Sequence, residues 1–128
     1  MVMFTLEVEG KDPREVTSYA TVERSLRSLK PYGPRTYAIL DRGDDHFVQV
    51  AGGQVSAAVE YRSPDGLWRA YLTDPHRNYS APVTKHFGAG TIIVQPDEVL
   101  WLEDVVAVFR VFFEGNGEWP VGWRAVDL

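Results

Sequence analysis

The stretch His46 to Thr73, HFVQVAGGQVSAAVEYRSPDGLWRAYLT, decides the fold class. Val55, Ala57, Val59 and Tyr61 alternate with Ser56, Ala58, Glu60 and Arg62. Successive side chains on a strand point to opposite faces, so this period of two reads as a half-buried strand. Pro64-Asp65-Gly66 is a turn signal, and Leu67 to Thr73 returns as the next strand. On the other side, His46 to Ala51 reads as a strand closed by a Gly52-Gly53 turn. A parallel crossover needs roughly a dozen residues or more, which none of these loops has. The stretch is therefore an antiparallel meander.

Working outward, Thr36 to Leu40 reads as another strand, joined to His46 through the turn Arg42-Gly43-Asp44. Val2, Phe4, Leu6 and Val8 alternate with polar residues and make a first strand. Asp12-Pro13-Arg14-Glu15 has the form of a helix start, although the start fits equally well near Ser18. Val16, Tyr19, Val22, Leu26 and Leu29 continue as a helical stripe that Pro31-Tyr32-Gly33-Pro34 ends. Asp74 to Gly90, rich in Pro, Gly, Asn and His, reads as one long surface loop, of a length often tied to function. Thr91 to Gln95 is a short buried strand.

Glu103 to Glu114 suits a helix, with Val105, Val108, Phe109 and Phe112 on one face, acids at its start and Gly115 as C-cap. A strand leading into a Glu114-Gly115-Asn116-Gly117 hairpin is the alternative. Trp119 to Val126 closes the chain as a strand with Pro120 at an edge. The expectation is a single α+β domain over residues 1–128: an antiparallel meander sheet of about six to seven strands packed against two helices.

Composition narrows the function classes. The chain has 128 residues, 45% hydrophobic and 12% aromatic, which is globular rather than disordered composition. No cysteine is present, which removes disulfides and thiolate metal sites and fits a reducing compartment. The N-terminal residues lack a signal-peptide pattern and no stretch is long enough for a membrane span, so a cytoplasmic protein without a membrane partner is expected. The net charge of −5, with scattered basic residues, argues against a nucleic-acid partner. Arg24, Arg27 and Lys30 are spaced like a solvated helix face, with a phosphate site the lesser reading.

Catalytic parts are scarce. Asp74, His76 and His86 are the best metal set, but their spacing matches no standard ligand pattern, and no metal or cofactor is expected. His46 reads as a surface residue opening a strand. Nucleophilic catalysis lacks a cysteine, a G-x-S-x-G elbow and a serine beside a base. The carboxylate neighbours Asp44-Asp45, Asp97-Glu98 and Glu103-Asp104 suit turns and helix caps, because residues adjacent in sequence diverge in direction. Phe87-Gly88-Ala89-Gly90 lacks a P-loop lysine, and Arg42-Gly43-Asp44 is explained by its turn. Trp68, Trp101, Trp119 and Trp123 are many for this length. Most serve the core, while an exposed one would make a binding anchor. Ten of the 13 basic residues are arginine, which also suits an interface.

Three segments together resemble the first-numbered immunity-protein family of bacterial polymorphic toxin systems. They are His46-Phe47-Val48-Gln49-Val50-Ala51-Gly52-Gly53 running into Val59-Glu60-Tyr61-Arg62, the helix entry Leu102-Glu103-Asp104-Val105, and Phe112-Phe113-Glu114-Gly115-Asn116-Gly117-Glu118-Trp119-Pro120-Val121-Gly122-Trp123. The order of elements agrees over roughly residues 16–126. Asp74 to Gly90 departs from it, being longer and richer in His and Pro. The resemblance implies a protein that neutralises a co-encoded toxin, often a nuclease or deaminase, by binding it, with no catalytic residue of its own. Glu60, Trp119 and Trp123 fall within the matching motifs, the tryptophans as fold markers.

The leading expectation is thus a binding protein that occludes a cognate toxin. Asp44, Asp45, Asp65, Asp74, Asp97 and Glu98 would face a basic partner surface. An enzyme using the Asp74–Gly90 segment with Glu60, and a structural homo-oligomer subunit, are the alternatives.

Overall fold

The computed structural model describes residues 3–77, 81–87 and 90–126, the side chains of residues 85–87 excepted. The chain is α+β, with a seven-stranded antiparallel sheet and two helices. The strands are β1 (Phe4–Val8), β2 (Arg14–Val16), β3 (Tyr37–Gly43), β4 (His46–Gly53), β5 (Ser56–Ser63), β6 (Gly66–Tyr71), β7 (Val83–Phe87), β8 (Gly90–Val94) and β9 (Gly122–Ala125). The helices are α1 (Tyr19–Arg27) and α2 (Leu102–Glu114), and a single 3-10 turn spans Pro96–Glu98. The main sheet runs β2-β1-β3-β4-β5-β6-β9, while β7 and β8 form a separate hairpin.

One face of the sheet is the core. Leu6, Leu40, Val48 and Tyr61 are successive cross-strand partners, as are Val8, Ala38, Val50 and Val59. Val22 and Leu26 of α1 and Val105, Val108, Phe109 and Phe112 of α2 pack onto these rows. Phe109 is wholly buried. Phe112 sits edge-on to both Phe4 and Tyr61, which settles the 103–114 segment as a helix rather than a hairpin. At its start, the Asp104 carboxylate accepts from the backbone N–H of Trp101 at 2.9 Å. At its end, Gly115 takes a left-handed conformation (φ 73°) that other residues resist, and its N–H closes on the Val111 carbonyl.

The first helix begins later than Asp12. Residues Arg14–Val16 instead add a short edge strand to β1, with Phe4 opposite Val16. Burying Val16 against the sheet prevails over the capping pattern at Asp12-Pro13. Ser18 is the cap, its hydroxyl accepting from the Ala20 N–H at 3.2 Å. The Gly52-Gly53 pair likewise belongs to β4, and the turn falls on Gln54-Val55. A side chain at Gly53 would come within 2.5 Å of the Leu29 carbonyl, so glycine there lets the end of the α1 region rest directly on the sheet backbone. The closing strand is shorter than expected, because Trp119 and Pro120 lie before it.

The largest correction concerns Asp74 to Gly90. Its second half is not loop: Val83–Phe87 pairs with Gly90–Val94, from Val83 opposite Val94 to Phe87 opposite Gly90. Val83, Ile92 and Val94 pack with Ala58 and Val99, so this hairpin lies over the face of the sheet away from the helices. This second face, under the hairpin, is the outer face of the sheet.

Candidate functional site

The outer face carries a row built by strand register, polar at every place but Ile39. Glu7 pairs with Ile39, Ile39 with Gln49, Gln49 with Glu60, Glu60 with Arg69, and Arg69 with Arg124. These residues come from six strands and are scattered in sequence, yet they form one line across the sheet. Glu60 is buried at 9% exposure. Its Oε1 accepts from Gln49 Nε2 at 2.9 Å, and its Oε2 accepts from Arg69 Nε and Nη2 at 3.2 and 2.7 Å.

Arg69 reaches further, donating through Nη1 to the Ile93 carbonyl of the hairpin at 3.3 Å and lying 3.6 Å from Glu98. Glu98 accepts from Arg124 at 2.8 Å and from the Gln95 N–H at 2.7 Å. Arg124 also holds Asp97 through two parallel bonds of 3.0 and 2.9 Å, and its guanidinium lies over the Tyr71 ring. The Arg124 hydrogen bonds hold the Asp97 carboxyl below its usual range, and Asp97 and then Glu98 hold Arg124 above its own. Opposite charges with directed hydrogen bonds each favour the partner's ionised form.

The six carboxylates expected to face a partner therefore divide. Asp44 and Asp45 are the tip of the β3–β4 hairpin, both exposed and both with left-handed backbone (φ 56° and 60°), as a tight two-residue hairpin turn requires. Asp65 is exposed in the β5–β6 turn, where its N–H donates to Ser63 Oγ at 3.1 Å. In a meander these two turns share one end of the sheet. The Asp44, Asp45 and Asp65 carboxylates have no partner among the described residues. Asp74 is exposed beyond the far end of β6, away from those turns. Asp97 is committed to Arg124, and Glu98, only 2% exposed, is a buried member of the ion network rather than a surface charge.

The end of the sheet bearing Asp44, Asp45 and Asp65 also presents aromatic surface. Tyr61, Trp68, Trp119 and Trp123 form a cluster of ring contacts, with Trp119 at right angles to Trp123 at 5.2 Å. Trp119 is 37% exposed. It lines a depression of about 180 Å³ together with Arg42, Tyr61, Phe112 and the Gly115–Gly117 turn. No family model, curated protein or solved structure matches this chain.

The histidines do not gather. His76 stacks on the Trp101 indole (centroids 4.0 Å apart) and bonds Asp104 through Nε2 at 2.7 Å, tying its loop to the start of α2. His46 Nδ1 contacts the Asp44 carbonyl at 3.0 Å, and the His86 side chain lies outside the described residues. Among the described residues, no group of three or more His, Cys, Asp or Glu is placed to hold a metal. Arg24, Arg27 and Lys30 are exposed, but Arg27 is paired with Glu23 and Glu103 and serves as a strap between the helices. The residues of the outer face that sequence reading passed over are Gln49, Arg69 and Arg124. Their signal was strand parity: each shares a face with Glu60 once the register is known.

Proposed function

We propose that this chain is a binding protein of the immunity type, which neutralises a cognate protein toxin by covering its working surface. The observation that carries the reading is part-exposed Trp119, backed by Trp123 and Tyr61, at the end of the sheet where Asp44, Asp45 and Asp65 are exposed and have no side-chain partner among the described residues. An aromatic anchor with a polar rim is the usual anatomy of a binding hot spot, and acidic tips favour a basic partner. The resemblance of the 46–62, 102–105 and 112–123 segments to immunity proteins points the same way. Asp74, Asp97 and Glu98 have no part in this surface.

The test expresses the C-terminal domain encoded by the neighbouring gene with and without this protein, and measures growth and binding. Rescue of growth and tight binding are expected. Reversing Asp44, Asp45 and Asp65 to lysine slows association and reduces its salt dependence, because exposed charges act mainly on encounter. Trp119→Ala speeds dissociation, weakening binding by about 2 kcal/mol or more, the size of a hot-spot effect. A partner domain that is neither bound nor neutralised overturns the reading.

A further inference from the structure

A cleft of about 310 Å³ lies between the β7–β8 hairpin and the outer face, with Glu7, Tyr37, Ile39, Gln49, Ala51, Ala58, Glu60, Gly90 and Ile92 among its walls. Its size falls at the small end of ligand pockets, about 300–1,000 Å³, and its make-up is theirs: apolar walls with a few placed polar groups.

The state of each polar group defines the ligand. Glu60 has its charge met by Arg69, and both its oxygens already accept from Gln49 or Arg69. Gln49 donates one amide N–H to Glu60, which leaves its second N–H as a donor and its amide oxygen as an acceptor. The Glu7 carboxylate has no ion-pair or hydrogen-bond partner among the described residues, although it is half-buried at the cleft wall. Of the two carboxylates that line the cleft, Glu60 is matched by Arg69, and Glu7 is the one without a counter-charge among the described residues. Tyr37 adds an aromatic ring to the same cleft wall, and aromatic faces attract cations. Ile39, Ala51, Ala58 and Ile92 supply apolar surface beyond it. From Glu7 across Ile39 to Gln49 is two inter-strand steps, about 10 Å.

We propose that this cleft binds a small amine with a compact apolar body, its ammonium at Glu7 and Tyr37 and its body across Ile39 toward Ala58 and Ile92. The site is separate from the Trp119 end, and its test involves no toxin, so either reading can fail without the other.

The experiment titrates the isotope-labelled full chain with tryptamine and follows backbone amide resonances. Indole-3-acetate, with the same ring and the opposite charge, is the control. Saturable shifts at Glu7, Tyr37, Gln49 and Gly90 are expected with tryptamine and not with indole-3-acetate. Glu7→Gln, which removes the charge at a position with no partner among the described residues, weakens tryptamine at least tenfold while leaving the rest of the spectrum in place. Ala51→Met keeps Glu7 but fills the floor, and it also lowers affinity. The proposal is overturned if tryptamine gives no saturable shifts at these residues, if indole-3-acetate binds equally well, or if Glu7→Gln binds tryptamine as tightly as the parent.

Discussion

The two faces of the sheet are covered in opposite ways. On the core face, α1 and α2 lay Val22, Leu26, Val105, Val108 and Phe109 onto rows of Leu and Val, and the cover is held by apolar burial. On the outer face, a hairpin and a 3-10 turn contribute a small apolar cluster around Ala58, Val94 and Val99. The rest of that cover is fastened by charge, through Glu60, Arg69, Glu98, Arg124 and Asp97. Apolar burial is non-directional and sums over area, whereas a buried ion network is favourable only while every member is present. The first kind of cover tolerates exchange of similar side chains; the second tolerates exchange of the whole set better than loss of one part.

The largest effect tests the core face. Phe109→Ala removes a wholly buried ring and should cost about 3–5 kcal/mol in a denaturant titration. A near-neutral result would mean that α2 is not what closes the core.

Arg69→Met comes next. Glu60 and Glu98 would lose their shared cation while staying largely buried, at a cost of about 3 kcal/mol, the low end for breaking a buried pair. Replacing Glu60, Arg69 and Glu98 together by apolar residues should cost less than Arg69→Met alone, because no unpaired charge remains. If the triple replacement is the more damaging, the contrast between the faces collapses.

These two tests also bear on what could be read in advance. The core face was legible because each strand carries its own record of it. The alternation through Phe4, Leu6 and Val8, or from Ala57 through Val59 to Tyr61, needs only neighbours two residues apart. Helix α2 was legible from its apolar face and Gly115. The outer face was not. Glu60 looked like a solvent-facing residue of a half-buried strand, and only a hairpin encoded about thirty residues later buries it. That hairpin was masked by the prolines and glycines around it, although Val83 to Phe87 and Gly90 to Val94 are each long enough to be strands. Arg69 and Arg124 are adjacent only through the β6–β9 register, which local sequence does not state. At the candidate binding end, the glycines and proline located the turns carrying Asp44, Asp45 and Asp65 to within a residue or two, with Arg42, Gly43 and Gly66 lying in the flanking strands. Their separation from Asp97 and Glu98 depended on the tertiary fold.

The smallest effect lies at the rim of the ion network and is read by pH. Asp97 has its folded pKa depressed by Arg124, so its contribution is present above the ordinary carboxylate value of 3.8 and is lost as pH falls through the folded value. At neutral pH, Asp97→Asn should cost about 0.2–1 kcal/mol, since the pair is partly solvated. The variant should lose less stability than the parent between about pH 5 and more acid conditions. An unchanged acid slope would show that Asp97 adds nothing to the fastening.

The two outermost strands of the sheet have a consequence for how the protein behaves at high concentration. β2 has three residues and β9 has four, the shortest in the sheet. Open strand edges are templates on which other chains add and aggregates grow, and short edges bearing charge are poor templates. β9 carries Arg124, and the inner strand β5, where β6 no longer accompanies it, is capped by Leu100 through bonds of 2.9 and 2.7 Å to Ala57. A sheet of seven strands thus ends in stubs that offer an incoming strand only a few hydrogen bonds. Edge addition to the main sheet is disfavoured by the same chain layout that builds it.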